Sequence, residues 1–266
     1  MDYSPPKRGL SNLRGEIVMS INGKYIYGFT RSDTTLSSAI NGIDGKPIFA
    51  MSDNGVAAVV SDGPDGKLRP ERKHLSAHHG VIKEVMKTST ILPLSFGVVA
   101  DNEASIKKIL KLNHDSFVSQ LKRLEGKVEM GLKIAWDVEN IFEFMVRKHR
   151  TLELFRDNIF LKPTGATQEE KLELGRMFET ILNEDRETHL TAVQDILKNY
   201  CCEIKVNKPK DENTIMKLAC LVEKAKLEQF EKGVFEAAKE FDDNYAFDFN
   251  GPWAPHNFVD IQLKTA

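Results

Sequence analysis

The sequence predicts an α+β protein of two domains, and three observations predict it. At 266 residues the chain is long for one domain and ordinary for two. Segments of period-two apolar alternation intersperse with segments of period 3.6 in both halves, so neither an all-helical nor an all-strand class fits. A helical pattern ends at Glu125-Gly126 and a clean strand begins directly after it, which marks the boundary.

Residues 1–23, rich in Pro, Gly, Ser and charge, read as a flexible N-terminal extension. The N-terminal α+β domain, 24–125, opens with a strand at Lys24–Thr30, where aromatic and β-branched residues cluster. Asn41-Gly42 and Asp44-Gly45 are turn signals. Pro47–Met51 and Val56–Val60 form a hairpin around Asp53-Asn54-Gly55. A helix runs from Pro70, at the first-turn position proline favours, to Thr88. Ile91–Val99 is a strand. One helix then follows, capped by Asp101 or Asn102, with Ile106, Ile109, Leu110, Phe117, Leu121 and Leu124 on its apolar face.

In the second half, 126–266, Val128, Met130, Leu132, Ile134 and Trp136 alternate with polar or small residues as a strand. Asp137 caps a helix to Phe160; Lys162-Pro-Thr-Gly165 breaks it, and a longer helix spans 167–199. Strands follow at 202–206 and 215–222. Leu227, Phe230, Val234, Ala238 and Phe241 make a helix despite Gly233, which costs ~1 kcal/mol against Ala. Tyr245, Phe247 and Phe249 alternate as a further strand, and Phe258–Leu263 read as a closing one. The succession is a modified ferredoxin-like (βαββαβ) domain with a long helical insertion, 137–199, projecting as an arm.

With 37 basic and 39 acidic side chains the net charge is −2, which gives no general reason to expect a nucleic-acid partner. The longest uncharged apolar run, Thr88–Ala100, is broken by Pro93 and Gly97 and is too short to span a membrane, and no secretory leader pattern is present. Three cysteines, two of them adjacent, fit a reduced, cytoplasmic protein. Cys202 and Cys220 fall on strand positions that want small core residues, leaving Cys201 partly exposed.

The helix 69–87 carries the densest chemistry. Glu71, His74 and His78, spaced three and four apart, can share one face, which is the geometry of a metal site and of a metal- or ligand-binding enzyme or sensor. Against it, the zinc-protease pattern of two histidines around a glutamate is absent. Histidines and arginines bonding into an interdomain seam, or facing solvent, are the plainer reading. No nucleophile elbow, paired-cysteine motif or phosphate loop occurs, so no cofactor and no catalytic residue is assigned. Trp253, held between Pro252 and Pro255, is a stiff aromatic turn suited either to a partner or to an internal latch. Arg69, Glu71, Arg72, His74, His79, Trp136, Trp253 and Phe258 are the candidate partner or interdomain contacts.

Five segments resemble the gas vesicle accessory protein family GvpL/GvpF: Tyr25-Ile-Tyr-Gly-Phe29, Leu68-Arg-Pro-Glu-Arg-Lys-His-Leu-Ser-Ala-His-His79, Ile91-Leu-Pro-Leu-Ser-Phe-Gly97, Leu124-Glu-Gly-Lys-Val-Glu-Met-Gly-Leu-Lys133 and Gly251-Pro-Trp-Ala-Pro-His-Asn-Phe-Val259. They occur in family order; Ala254 and His256 depart from the usual Pro and Tyr. The resemblance implies a non-enzymatic protein needed for gas vesicle formation. Its partners would be the small hydrophobic shell protein, GvpA-like, and other accessory proteins, at the gas vesicle, with no membrane and no nucleic acid involved.

Overall fold

The computed structural model describes residues 23–36, 40–64, 68–209 and 211–265. The predicted extension therefore lies, but for its last residue, outside the described residues. The chain divides into two compact units: one is residues 1–129 with 252–266, the other 130–251. The sequence places all of 126–266 in a single domain. The structure differs because the stretch after Gly251 packs within the first unit, with Ala254 and Phe258 buried there.

The first unit is built on a five-stranded sheet. β1 (Lys24–Arg31) lies at its centre, β2 (Ile48–Asp53) and β3 (Val56–Asp62) form a hairpin, and β4 (Ile91–Pro93) and β5 (Val99–Ala100) both pair with β1. The order is β2-β3-β1-β4. Asp53 pairs with Val56, leaving a two-residue loop in which Asn54 and Gly55 both have positive φ, 46° and 86°. That is the mirror-image turn whose twist matches the flanking strands, and Asn-Gly is the pair that adopts it most readily. The strand expected over Ile91–Val99 is split into β4 and β5, with Gly97 at φ 96° between them.

α1 (Arg72–Thr88) buries Val81, Ile82 and Val85 against Tyr25, Tyr27 and Val59. A bulge in β1 between Ile26 and Gly28 shifts the register, and Phe29 beyond it stacks on Phe117 at 4.1 Å between ring centroids. The single helix expected over 101–124 is two, α2 (Glu103–Leu112) and α3 (His114–Leu124). They break at Asn113, whose ψ of 9° leaves the helical path. Its side-chain amide donates to the carbonyls of Ile109 and Lys264, and its side-chain oxygen accepts from the Lys264 N–H.

The second unit holds most of a four-stranded sheet in the order β7-β8-β6-β9, from β6 (Lys127–Trp136), β7 (Glu203–Asn207), β8 (Thr214–Glu223) and β9 (Tyr245–Trp253). Its core joins Leu132, Ile134 and Trp136 of β6 and Ile215, Leu218 and Cys220 of β8 to helices. These are α4 (Ile141–Lys148), α5 (Arg150–Phe160), α6 (Gln168–Leu197) and α7 (Leu227–Ala238). The helix expected from 137 to 160 is broken at His149, which leaves helical geometry at φ −118°, ψ 103°. Asp185 of α6 fixes the break by accepting from both His149 Nε2 at 3.0 Å and Lys148 Nζ at 2.8 Å. Asn140, not Asp137, supplies the side-chain cap.

The predicted arm contributes heavily to this core, through Met145, Val146, Leu152, Ile159, Leu174, Leu182, Val193 and Leu197. The closing strand expected at 258–263 is absent; those residues run in turn and irregular backbone. Cys220 is buried as expected, but Cys202 is exposed. Cys202 pairs its N–H with the Leu221 carbonyl, while the half-buried Cys201 donates its thiol to the Leu197 carbonyl. Among the described residues, no helix is long and apolar enough to cross a membrane.

Candidate functional site

The three residues that share a helix face in sequence do not form a shared site in the fold. Glu71 is exposed just before α1 and lies 3.6 Å from Lys73. His74 is buried and its ring nitrogens face acceptors, the Arg69 carbonyl at 2.9 Å and the Asp44 carboxylate at 3.0 Å. His78 is fully buried, between the Tyr25 hydroxyl at 2.9 Å and the Leu94 carbonyl at 3.1 Å. A metal could reach these nitrogens only by displacing bonds that hold the fold. Among the described residues no group of three or more His, Cys, Asp or Glu side chains is arranged to hold a metal.

The bonding of His78 fixes its tautomer. The Leu94 carbonyl can only accept, so Nε2 carries the proton and Nδ1 accepts from Tyr25. The Tyr25 oxygen in turn accepts from the Gly97 N–H at 3.0 Å. Burial, with the neighbouring His79 charge adding to it, pushes the His78 imidazole down to about 4. Burial also raises the Tyr25 phenol. Tyr27 repeats the arrangement, sharing a bond with Ser61 and accepting from the Ile43 N–H at 2.8 Å. This polar ladder joins β1 to α1 and to the loops on either side, and it does so with a neutral imidazole.

His79 lies beside it, its ring 5.5 Å from His78 and 6.2 Å from His256. Burial first, then the charges of His78 and His79, push His256 down to about 3. His256 belongs to the Gly251–Val259 turn, which the first unit grips at several points. Asn257 donates to the Glu129 carboxylate from its backbone and its side chain, and Arg123 donates to the Phe258 carbonyl. Phe258 is fully buried. Trp253, in contrast, keeps 41% of its surface exposed.

Trp136 belongs to the core of the second unit, with the Arg186 guanidinium 5.4 Å above its ring and its Nε1 without a hydrogen-bond partner among the described residues. Arg69 and Arg72 are exposed. The eight candidate contacts are thus scattered: His74, Trp136 and Phe258 serve the interior, while Arg69, Glu71, Arg72, His79 and Trp253 reach the surface.

A surface the sequence analysis did not single out lies on the α5–α6 hairpin. Leu154, Phe160, Leu161 and Leu172 keep 52, 54, 81 and 54% of their surface exposed. They are four of the nine large apolar side chains that stand out to solvent among the described residues, and all lie near the 161–167 connection. Leu154 and Leu161, the latter capping the end of α5 in helical geometry, are two turns apart on one face, opposite the face of Leu152 and Ile159 that enters the core. The connection itself is well made: Thr167 and Glu170 form a capping box at the start of α6, and Lys162 pairs with Glu170. The signal was present as leucines off the 3.6-residue core stripe, hidden among apolar positions that do pack.

The structure thus combines two mixed helix-and-sheet units with a polar ladder committed to the fold and an apolar surface on a helical hairpin. That combination defines a protein of the mixed helix-and-sheet class, built on two antiparallel sheets. Residues 23–260 match the family model described as "Gas vesicle synthesis protein GvpL/GvpF", and the chain belongs to that family. Relatives include gas vesicle protein F of Streptomyces sp. (strain CB03234), 26% identical over 247 residues, covering 89% of this chain and 99% of the relative. Gas vesicle protein L of the same Streptomyces strain is 24% identical over 267 residues, covering 90% of this chain and 93% of the relative. The fold matches the crystal structure of GvpF from Anabaena sp. PCC7120 with a TM-score of 0.79 at 24% identity, over 91% of this chain and 99% of that one. GvpF from Microcystis aeruginosa matches with a TM-score of 0.75 at 22% identity, over 90% and 99%.

Proposed function

We propose that this chain is a non-enzymatic accessory protein of gas vesicle assembly, which binds the small hydrophobic shell protein and other accessory proteins while the vesicle forms. The observation that carries the reading is the family match across residues 23–260. A physical argument supports it. A shell subunit that will enclose gas must expose apolar surface before it is incorporated, and such surface aggregates unless another protein covers it. The exposed leucines and phenylalanine of the α5–α6 hairpin offer apolar surface of the matching kind.

In this reading the protein works in the cytoplasm, at the growing vesicle, and can remain there as a minor component. The 130–251 unit is read as a modified ferredoxin-like domain. The β6–helices–β7–β8–α7–β9 succession and the strand order β7-β8-β6-β9 support that reading. Arg72 and Trp253, both exposed, are secondary candidates for partner contacts.

The test is co-purification of the tagged protein with co-expressed shell protein, alongside Trp253→Ala, Arg72→Ala and Leu161→Ser with Leu172→Ser on the hairpin. Recovery of shell protein with the wild type supports the reading, and loss in a folded variant identifies the surface. No recovery, with both proteins folded and in solution, overturns shell-protein binding.

A further inference from the structure

Leu172, one of the hairpin's exposed apolar side chains, lies on α6 beside a face that is strongly acidic. α6 carries eight acidic and three basic side chains between Gln168 and Leu197. Glu169, Glu173, Glu184 and Glu187 are all exposed, and their spacing of 4, 11 and 3 places them on one face, since 11 residues close about three turns. Leu172 borders the same face. Among these carboxylates Glu173 is neutralised by Arg176 at 3.4 Å; Glu169, Glu184 and Glu187 make no ion pair among the described residues. Elsewhere on the hairpin Arg150 pairs with Glu153, Arg156 with Asp157 and Lys162 with Glu170, while Lys171 and Glu179, both exposed, make no ion pair among the described residues. On the outer face of α6 the uncompensated charge is negative, from Glu169, Glu184 and Glu187, with Lys171 about 200° round the helix from Glu169.

We propose that the hairpin tip and the outer face of α6 together form a docking surface for one basic amphipathic helix. Its apolar side chains cover Leu154, Phe160, Leu161 and Leu172. Its Lys or Arg side chains run along Glu169, Glu184 and Glu187. The dimensions agree: Leu172 to Glu187 spans about 22 Å of helix at 1.5 Å per residue, and an 18-residue partner helix is about 27 Å long. A second copy of this chain is the poorer occupant, because tip-to-tip packing would bring two acidic faces together and like charges repel. Helix-in-groove recognition with an apolar stripe and a charged border is a recurrent mode of peptide binding.

The proposal rests on the assembly reading for its biological setting, since it names the chemistry of the partner that the hairpin takes. Its test does not use the shell protein, so the two fail separately. The probe is an 18-residue fluorescent helical peptide with leucines on one face and lysines along the border. It is compared with a twin carrying glutamates for the lysines and a twin carrying serines for the leucines, each titrated into the full chain by fluorescence anisotropy. The lysine–leucine peptide is expected to bind at least tenfold more tightly than either twin, with an affinity that falls steeply with salt.

Leu161→Ser with Leu172→Ser should weaken it at least tenfold. Glu169→Lys with Glu184→Lys and Glu187→Lys should reverse the preference towards the glutamate twin. All five positions are exposed, and unchanged helical circular dichroism verifies that the variants fold. An unchanged lysine preference in the charge-reversed variant overturns the proposal, as does wild-type binding by the double serine variant. Concentration-dependent self-association that the serine variant abolishes would assign the surface to a second copy and overturn it too.

Discussion

Glu129 on β6 holds Asn257 through both carboxylate oxygens, at 2.8 Å from the Asn257 backbone nitrogen and 2.5 Å from its side-chain nitrogen. The two residues are 128 positions apart, and Glu129 is only 2% exposed. A carboxylate so placed needs its donors, because burying an unmatched acceptor costs more than the bond itself returns. Asn257→Ala removes the side-chain donor and should destabilise the first unit by about 1–3 kcal/mol in urea denaturation. Glu129→Ala, which abandons both Asn257 donors, should cost more. Equal midpoints for Asn257→Ala and wild type would show that the grip contributes nothing.

Acid should weaken the fold through its histidines. His78 titrates at about 4 in the folded protein, and burial is the main cause. An unfolded imidazole titrates near ~6.5, so between these values the unfolded chain takes the proton first and stability falls as pH falls. The contribution of His78 is whole above ~6.5 and is lost progressively as pH drops towards its folded value, on the order of 3 kcal/mol in all. His256, pushed down to about 3, acts in the same direction. The melting temperature should therefore drop between pH 7 and pH 4.5. His78→Gln should start lower at pH 7 and fall less over the same range; parallel curves would contradict this.

Trp136 is packed for its ring and not for its nitrogen. Its Nε1 is buried without a hydrogen-bond partner among the described residues, while Arg186 sits over the ring and donates to the carbonyls of Thr214 and Glu212. Trp136→Phe gives up some apolar area but also removes an unsatisfied buried donor, so the change should stay within about 1.5 kcal/mol. Arg186→Ala, which strips the ring of its cation and two carbonyls of their donor, should cost more. Thermal melts of the two variants should rank in that order.

Gly233 tests packing against helix propensity. By propensity alone, Gly233→Ala in α7 should stabilise by ~1 kcal/mol. A Cβ there would lie 2.5 Å from both Cγ and Cδ2 of Tyr200 and 3.0 Å from its Cβ. Those are the inner atoms of the side chain, which cannot swing aside without moving the end of α6. The expected result is net destabilisation of about 1–3 kcal/mol. A higher melting temperature in Gly233→Ala would mean that Tyr200 yields.

Gly233 also shows where sequence reasoning reaches its limit. The period of Leu227, Phe230, Val234 and Ala238 is local, so the helix was legible; the reason for a glycine inside it is a tyrosine 33 positions earlier. The Asn54-Gly55 hairpin was legible because its turn chemistry lies within two residues. The breaks at Asn113 and His149 were not, since each is fixed by a distant partner, Lys264 and Asp185. Phe258–Leu263 alternates like a strand, yet its two ends are held by distant partners, Phe258 by Arg123 and the adjoining Lys264 by Asn113. His74 and His78 looked like ligands for the same reason, because their actual partners, Asp44, Tyr25 and Leu94, are brought to them only by the fold. The hairpin surface stayed hidden because exposed Leu161 and buried Ile159 are indistinguishable by residue type.

The central claim, that this protein covers the apolar surface of a shell subunit, is tested most directly by a sedimentation assay. Purified shell protein is diluted from denaturant into buffer with the wild-type chain, with the Leu161→Ser, Leu172→Ser variant, or with an unrelated protein of similar size, and centrifuged. The account predicts that the wild type keeps shell protein in the supernatant in a saturable, stoichiometric manner and that the variant keeps markedly less. Shell protein that pellets equally in all three mixtures would contradict it.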